Sequence, residues 1–427
     1  MAKIATFGLW HLGCVFSACL AELGHDVVGT DFDKKTVDDL QQGTPPIYEP
    51  GLEELIKKHL GKNLSFEPDR EKALNSADFI FITFDTSVDE QDRPDLTPIM
   101  NAADEISRYA KDGAIIVVSS QVPVGTCDEI KEIISQKSRR KVDVCYLPEN
   151  LRLGRALDSF LKPERIVLGV NDPETSKKVK ELFLPLECEI LEMSVRSAEM
   201  SKHALNAYLA TCISFANEIS DLCEAYRASA VDVAKALKTD GRVGKLAPLA
   251  PGLGFSGGTL ARDVQVLRTL GERVGCKTHL LNAVMNVNEE RKHLVLNKLM
   301  KIFGDVSSLR VGILGLTYKP GTDTLRRSLA LEVARELISR GVRVKAHDPK
   351  ISGPIDGFPE LQVCSSIEEV ADGCDALVLM TEWPEFRDLP LEKLKKIMKR
   401  PVILDPKNFL DGEKLKRMGF EYYGVGV

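Results

Sequence analysis

The sequence predicts an α/β protein with two doubly wound domains, joined by a long central helix and an all-α middle segment. Two stretches, residues 3–31 and 309–348, share one layout. In each, a strand, a glycine, a helix, a second glycine, a strand and an acid follow in turn. Between them, apolar residues recur at steps of three and four from Ser197 onward, which is typical of a helix. Each strand–helix–strand unit predicts a Rossmann-like domain.

The length of the chain sets the number of domains. At 427 residues it is too long for one hydrophobic core. We therefore expect three domains: a dinucleotide-binding one at 1–195, a helical one at 196–305 and a second nucleotide-handling one at 306–427.

Composition excludes several classes of protein. A net charge of −6 with interspersed signs gives no reason to expect a nucleic-acid partner. No apolar run reaches the roughly 18 residues that a membrane-spanning helix needs. The ten cysteines form no CxxC pair and lie at no metal-ligand spacing from a histidine, so we expect buried free thiols, no metal and a cytoplasmic location.

The first turn predicts a dinucleotide site. Gly8, Trp10, Leu12 and Gly13 follow a short strand, and Asp31 ends the next strand, where an acid would hold the ribose diol. An acid there favours NAD over NADP, whose 2′-phosphate it would repel. Trp10 stands where the fingerprint has its second glycine, so the alternative is a Rossmann-type unit that has lost tight cofactor affinity.

Further apolar stretches alternate with helices and predict the strands of a parallel sheet. These stretches are residues 77–83, 113–118, 142–146 and 165–169. Ligands bind at the carboxyl ends of such strands. Thr86, Gln121 and Glu149 lie in loops that follow them. Glu149 is either a functional acid or a simple carboxylate at a helix N-terminus.

The predicted central helix carries a polar pair. Lys202 and Asn206 are four residues apart and share a face with apolar Leu205 and Leu209, which favours a ligand over solvent as their partner. The helix itself is either a connector and dimer core or an ordinary buried helix.

A glycine-rich stretch, residues 251–263, predicts a loop that grips a ligand. It contains four glycines, Gly257 among them, around Phe255, and we expect positive φ angles and close approach of the backbone to a ligand. The alternative is a flexible surface loop. Arg242, in a preceding glycine turn, is suited to a phosphate or is an exposed loop arginine.

The last segment carries a third polar loop. Tyr318, Lys319 and Arg326 follow the first strand of the second Rossmann-like unit and place an aromatic ring and cations at its carboxyl end. A cofactor on one unit and a nucleotide-bearing substrate on the other would be a sensible division.

Together these segments resemble the UDP-glucose/GDP-mannose dehydrogenase family over nearly the whole chain. The resemblance rests on ordered motifs, which are 49–53, 122–126, 148–149, 163–167, 198–218, the glycine loop, 315–319, 323–326, 381–383 and 405–408. It implies NAD as cofactor, a UDP-sugar as substrate, homodimers built on the central helix, and a role in polysaccharide biosynthesis. Such enzymes use two NAD molecules to oxidise the sugar C6 alcohol to a carboxylate.

The resemblance also implies roles for single residues in the chemistry. Lys202 and Asn206 would hold the reacting oxygen and stabilise its developing charge. Asp263 would orient a water or act as base, and Glu149 would activate water for hydrolysis.

Substrate binding follows in the same way. Lys319 and Arg242 would grip the diphosphate, with Arg242 coming from the neighbouring subunit, and Tyr318 would pack on the nucleobase. Phe255, Gly257 and Arg326 would complete the substrate site.

The sequence departs from the family where the chemistry lies. The family loop reads Gly-Gly-Ser-Cys-Phe-Pro-Lys-Asp, and Thr259 occupies the position of its nucleophilic cysteine. A threonine hydroxyl needs a dedicated base and forms no thiohemiacetal. Gln121, Leu153 and Trp10 are further departures in catalytic and cofactor motifs, and we do not expect Cys212 or Cys276 to substitute for the missing thiol.

Three functions remain open. The first is an NAD-dependent oxidoreductase acting on the CH–OH group of a nucleotide sugar without the covalent thioester step. The second is a catalytically inactive nucleotide-sugar-binding homologue. The third is a dehydrogenase of a different nucleotide sugar or carbon, for which a ketone product would need no nucleophile.

Overall fold

A computed structural model describes residues 1–89, 92–138, 140–148, 151–255 and 258–427. The chain divides into two compact units, Met1–Ala204 and Leu205–Val427. The central helix, α9 at Val195–Tyr226, runs from one unit into the other.

The first unit is built on a sheet of eight strands, in the order β3-β2-β1-β4-β5-β6-β7-β8. The strands are β1 Lys3–Phe7, β2 Asp26–Thr30, β3 Leu64–Phe66, β4 Phe79–Ile82, β5 Ile115–Val118, β6 Asp143–Tyr146, β7 Arg165–Gly169 and β8 Glu189–Met193. The first six are parallel, and β7 pairs with β6 in the opposite direction. The helices are α1 His11–Glu22, α2 Lys34–Gln41, α3 Leu52–His59, α4 Arg70–Leu74, α5 Thr97–Tyr109, α6 Thr126–Lys137, α7 Ala156–Leu161 and α8 Pro173–Leu182.

The central strands of this sheet are apolar on both faces because helices cover both. In β4, Phe79 and Phe81 pack in one cluster with α1, while Ile80 and Ile82 pack in another with α5 and α6. Successive side chains of a strand point to opposite faces, so a strand buried on both sides has no polar alternation. This is the doubly wound arrangement that the sequence predicts.

The second unit contains the rest of α9, then a helical segment, then a second sheet. Its helices are α10 Ala230–Thr239, α11 Leu260–Arg273, α12 His279–Lys292, α13 Leu294–Phe303, α14 Leu329–Ser339, α15 Ile367–Ala371, α16 Leu391–Ile397 and α17 Gly412–Arg417. Its strands are β9 Arg310–Leu314, β10 Arg343–His347, β11 Gln362–Val363, β12 Ala376–Leu379, β13 Val402–Leu404 and β14 Glu421–Tyr423. They form a parallel sheet in the order β11-β10-β9-β12-β13-β14.

Both sheets contain the strand order 3-2-1-4-5-6 that defines the dinucleotide-binding fold. The predicted fold class is therefore confirmed. Two strands of the first sheet, β3 and β8, were not predicted. They are its edge strands, with exposed polar positions in place of the continuous apolar run that marks a central strand.

Within the described ranges, no helix is both long enough and apolar enough to cross a membrane.

Candidate active site

The turn between β1 and α1 is built for close approach of backbone to backbone. Gly8 has φ +107°, and a Cβ on it would lie 2.8 Å from the backbone nitrogen of Phe84. A Cβ on Gly13 would lie 1.6 Å from the carbonyl oxygen of Gly8. Only glycine fits at either position, so the first and third glycines of the fingerprint do what a dinucleotide-binding turn requires.

Asp31 lies directly after β2, beside this turn. Its Oδ2 accepts a hydrogen bond from the backbone N–H of Leu9 at 2.5 Å, and its Oδ1 accepts one from Asp33 at 2.9 Å. The side chain is half-buried at the carboxyl-terminal edge of the sheet. The glycine turn and this acid fit an NAD molecule whose adenosine ribose meets Asp31.

The remaining position of the fingerprint is altered. Trp10 is the N-cap of α1, makes no side-chain capping bond and is 44% exposed.

The next residue, His11, is buried, and its Nε2 donates to the Glu49 carboxylate at 2.8 Å. Glu49 also accepts from the backbone N–H groups of Gly154 and Ala156 at 2.8 and 2.9 Å. This buried acid fixes the start of α1, a role that the motif around it did not reveal.

Two further predicted cofactor residues meet at the same edge of the sheet. The hydroxyl of Thr86, in the loop after β4, donates to the carbonyl oxygen of Gln121 at 3.2 Å, in the loop after β5. Both residues are buried. The predicted cofactor-binding residues thus follow neighbouring parallel strands on one edge of the first unit.

Lys202 lies on α9 and is 7% exposed. Its neighbours hold the helix in place. Glu199 accepts from two backbone N–H groups of the stretch 122–127, which joins the loop after β5 to α6, at 2.7 and 2.9 Å. His203 donates to a carbonyl of the same stretch at 2.7 Å. Because Gln121 directly precedes this stretch, these contacts fix Lys202 relative to the predicted cofactor residue there. Sequence reasoning missed Glu199 and His203, although their spacing of four in an apolar helix was the available signal.

In the second unit, Asn206 and Asp263 are brought together. The side-chain amide of Asn206 donates to Oδ2 of Asp263. Asp263 is fully buried in the first turn of α11, and the Arg262 guanidinium lies 3.9 Å from its other oxygen. Asn206 is one helical turn beyond Lys202 on α9, so the predicted catalytic residues of that helix share a face.

The glycine loop is clamped by two asparagines. Asn217 of α9 accepts from Gly252 N at 3.0 Å and donates to the Leu253 carbonyl at 3.2 Å. Asn288 of α12 accepts from Phe255 N at 2.7 Å and donates to the Phe255 carbonyl at 3.2 Å. The described start of the loop, residues 251–255, is mostly buried and does not lie on the surface. The asparagines were missed because they lie far from the loop in sequence.

The expected positive φ angles are wrong for two of its glycines. Neither Gly252 nor Gly254 has a positive φ. A Cβ on Gly252 would instead lie 2.8 Å from the Pro406 carbonyl oxygen, and one on Gly254 would lie 2.3 Å from Oδ1 of Asn288. These glycines are required by packing against the protein itself. Gly257, like Glu149, lies outside the described residues.

Thr259 is the N-cap of α11 and is exposed. Its hydroxyl makes no capping hydrogen bond, and among the described residues no base is hydrogen-bonded to it. Cys276 lies beyond the far end of α11, which places it about 20 Å away. Cys212 lies six residues past Asn206 on α9 and is buried. Neither of these two cysteines therefore belongs to the first turn of α11, where Thr259 is the N-cap.

The predicted substrate residues outside the glycine loop are mostly accessible. Arg242 is 90% exposed and makes a two-pronged ion pair with Asp240, at 3.0 and 2.7 Å, which raises the pKa of the guanidinium. Tyr318 is 37% exposed and Arg326 is exposed, while Lys319 is half-buried in the same loop after β9.

The second sheet has an acid, Asp348, at the position that corresponds to Asp31. Its carboxylate accepts hydrogen bonds from groups of the protein itself. Oδ2 of Asp348 accepts from Leu316 N at 2.7 Å, from Thr317 N at 2.9 Å and from Trp383 Nε1 at 3.0 Å. Asp348 is 2% exposed. Asp348 is thus buried and bonded to the protein at several points, whereas Asp31 is half-buried and accepts from two backbone N–H groups.

The described residues contain no cluster of three or more histidine, cysteine, aspartate or glutamate side chains suited to a metal ion.

Three family domains match the chain, all described under UDP-glucose/GDP-mannose dehydrogenase. The NAD binding domain matches residues 2–187, the central domain 196–290 and the UDP binding domain 312–412. A UDP-glucose 6-dehydrogenase of Bacillus subtilis is 35% identical over 429 residues, covering 99% of this chain and 97% of the relative. One from Rhizobium meliloti is 35% identical over 434 residues, covering 99% of both.

Comparison with solved structures points to the same family. A UDP-glucose dehydrogenase from the archaeon Pyrobaculum islandicum superposes with a TM-score of 0.91 at 32% identity, covering 99% of this chain and 97% of that one.

Proposed function

The chain belongs to the UDP-glucose/GDP-mannose dehydrogenase family, and from this premise we propose that it oxidises a CH–OH group of a nucleotide sugar without the covalent thioester step. Membership makes the protein an NAD-dependent dehydrogenase, which confirms the family, the enzyme class and the cofactor predicted from the sequence. The choice of sugar, the extent of oxidation and the oligomeric state belong to the proposal.

The observation that carries the proposal is the environment of Thr259. A threonine hydroxyl becomes a nucleophile only when a base removes its proton. Thr259 is exposed, and no base among the described residues is hydrogen-bonded to it. The buried cysteines of the first unit suit no covalent role either, since burial raises the pKa of Cys145 to about 12 and that of Cys14 further.

A single hydride transfer needs only residues that are present. Bound NAD supplies the hydride acceptor. Lys202 and Asn206 hold the sugar oxygen from one face of α9, and Asp263 accepts the hydroxyl proton, directly or through a water. The hydrogen bond from Asn206 orients the Asp263 carboxylate for this task. The carbon loses a hydride and the oxygen a proton, so the product is a carbonyl compound, which is an aldehyde when the oxidised carbon is exocyclic.

The substrate we propose is a UDP-sugar. The UDP binding domain of the family matches residues 312–412, and relatives over the full length of the chain are UDP-glucose 6-dehydrogenases. Phe255 forms part of the sugar site, while Tyr318, Lys319 and Arg326 hold the nucleotide. Arg242 of the neighbouring subunit joins them after leaving Asp240, to which it is paired in the structure.

A second candidate has support from the same threonine. Oxidation of a ring hydroxyl gives a ketone, which is not oxidised further, so the reaction needs no covalent capture. On that reading Thr259 is suited to the reaction and is not a lost nucleophile. The product distinguishes the two candidates, because an aldehyde forms at an exocyclic carbon and a ketone at a ring carbon.

We propose a cytoplasmic homodimer as the working form. The resemblance to the family implies dimers built on the central helix, and α9 exposes four large side chains at steps of seven, seven and four: Tyr208, Phe215, Leu222 and Tyr226. Residues seven apart lie on one side of a helix, so these form an apolar stripe. All ten cysteines are unpaired, which suits a reducing compartment.

A panel of nucleotide sugars with NAD tests the proposal. NADH is followed by absorbance and the product by mass. We expect one NADH per sugar and a product two mass units lighter than the substrate. Two NADH per sugar with a trapped thioester would contradict the thioester-free reaction. Calorimetric binding of a UDP-sugar without NADH production would instead favour an inactive binding protein.

A further inference from the structure

A second carboxylate lies at the start of α1. Oδ2 of Asp85, in the loop after β4, accepts a hydrogen bond from the backbone N–H of Leu12 at 3.4 Å. Leu12 is the second residue of α1, and the first N–H groups of a helix have no partner within it. In a dinucleotide-binding fold these groups face the pyrophosphate.

The position of Asp85 is built into the loop. On one side, the Thr83 hydroxyl donates to the carbonyl oxygens of Phe7 and Gly8 at 3.1 and 2.8 Å, which fixes the loop to the glycine turn. On the other side, the Thr86 hydroxyl is bonded to the loop after β5. Residues 83–86 are thus held at both ends, with Asp85 over the start of the helix.

Asp85 supplies a carboxylate at this helix end. α1 has no acidic residue in its first turn and no side-chain cap at Trp10. Burial, and then the carboxylates of Asp31 and Asp85, raises the pKa of the Cys14 thiol well above its usual range, so both acids act on the first turn. A negative charge at a helix N-terminus is stabilising.

We propose that Asp85 is an internal competitor for the pyrophosphate of NAD, which must leave the Leu12 N–H before the dinucleotide binds. Pyrophosphate and carboxylate are both anionic and cannot share the same N–H groups. The cost of displacing Asp85 lowers the affinity for NAD and NADH alike, and it favours their release. Asp31 differs because its carboxylate accepts hydrogen bonds from the ribose hydroxyls and so gains a partner when NAD binds.

Calorimetric titration of the full chain with NAD tests this without turnover. Asp85→Asn keeps the size of the side chain and removes the charge, and we expect NAD to bind about tenfold more tightly. ADP-ribose, which retains the pyrophosphate, should show the same gain, and adenosine should show none. Asp26→Asn is the matched control, since it removes the same charge from an exposed residue at the start of β2, away from the glycine turn.

Asp85→Glu retains the charge and should keep the weak affinity of the unaltered protein. Thermal unfolding without cofactor establishes that each variant is folded. Equal or weaker NAD binding by folded Asp85→Asn would overturn the proposal, as would an equal gain for adenosine. If Asp85→Asn does not fold, tight NAD binding by Asp85→Glu would overturn it instead. Because the readout is binding, these outcomes are independent of the product that the enzyme forms.

Discussion

The side-chain amide of Asn206 donates a hydrogen bond to the carboxylate of Asp263, which joins the central helix to the start of α11. Asp263 is fully buried and Asn206 is 6% exposed, so the pair forms away from bulk water. An amide can donate to a carboxylate in this geometry only if the carboxylate is oriented toward it. The contact therefore fixes the direction of the group that we assign as proton acceptor.

Asp263→Asn should reduce kcat by about 100-fold or more, because the amide cannot accept the proton of the sugar hydroxyl. The measurement is steady-state NADH formation with the nucleotide sugar that the panel identifies. Asp232→Asn, an exposed acid in the first turn of α10, should leave the rate unchanged. A folded Asp263→Asn with the original rate would remove Asp263 from the chemistry.

Gly254→Ala should destabilise the protein by about 1–3 kcal/mol, because the added methyl group would lie 2.3 Å from Oδ1 of Asn288. Displacing Asn288 also frees the backbone of Phe255, so KM for the sugar should rise. Thermal unfolding and steady-state kinetics measure the two effects. Gly241→Ala is the matched control, since its new Cβ would meet nothing within 4 Å. Equal stability of the two variants would show that Gly254 is not required by packing.

The sequence predicted the elements whose signals are local. β1, α1 and β2 lie within thirty residues, so their apolar runs and glycines were sufficient to predict the turn and the position of Asp31. The central strands were recognised because burial on both faces makes them continuously apolar. The three-residue edge strand β3 lacks such a run, and its pairing with β2 is visible only in the fold.

The parts of the site that escaped prediction depend on long-range contacts. Asn288 clamps a loop 33 residues earlier in the chain, and Trp383 donates to an acid 35 residues before it. Nothing in the local pattern around Asp348 distinguishes it from Asp31. The layout alone predicted two similar units, and the bonds from Leu316, Thr317 and Trp383 show that the second acid is held by the protein itself.

Leu222→Glu should convert the proposed homodimer to a monomer, because it places a charge in the apolar stripe of α9 at a residue that is 52% exposed. Light scattering coupled to size-exclusion chromatography measures the mass. Leu184→Glu is the matched control, since Leu184 is 69% exposed in the first unit, outside the stripe. A monomeric unaltered protein, or a Leu222→Glu variant that remains dimeric, would contradict assembly through the central helix.

Thr259→Cys tests how much of the altered chemistry is due to one residue. A cysteine at the N-terminus of α11 would benefit from the positive end of the helix, which lowers the pKa of a thiol and increases its thiolate fraction. If the sugar aldehyde forms next to this position, the thiolate can capture it as a thiohemiacetal. Hydride transfer to a second NAD then gives a thioester, which water hydrolyses to the acid and the free thiol. Two NADH per sugar and an acid product would follow.

Thr259→Ala is the control for this change. It removes a hydroxyl that makes no capping hydrogen bond, so we expect one NADH per sugar, as in the unaltered protein. If Thr259→Cys also stops at one NADH while an aldehyde accumulates, then Thr259 is not the sole cause and Gln121, Leu153 and Trp10 contribute. If the product is a ketone in all three proteins, the reaction takes place at a ring carbon, where a thiol has no role.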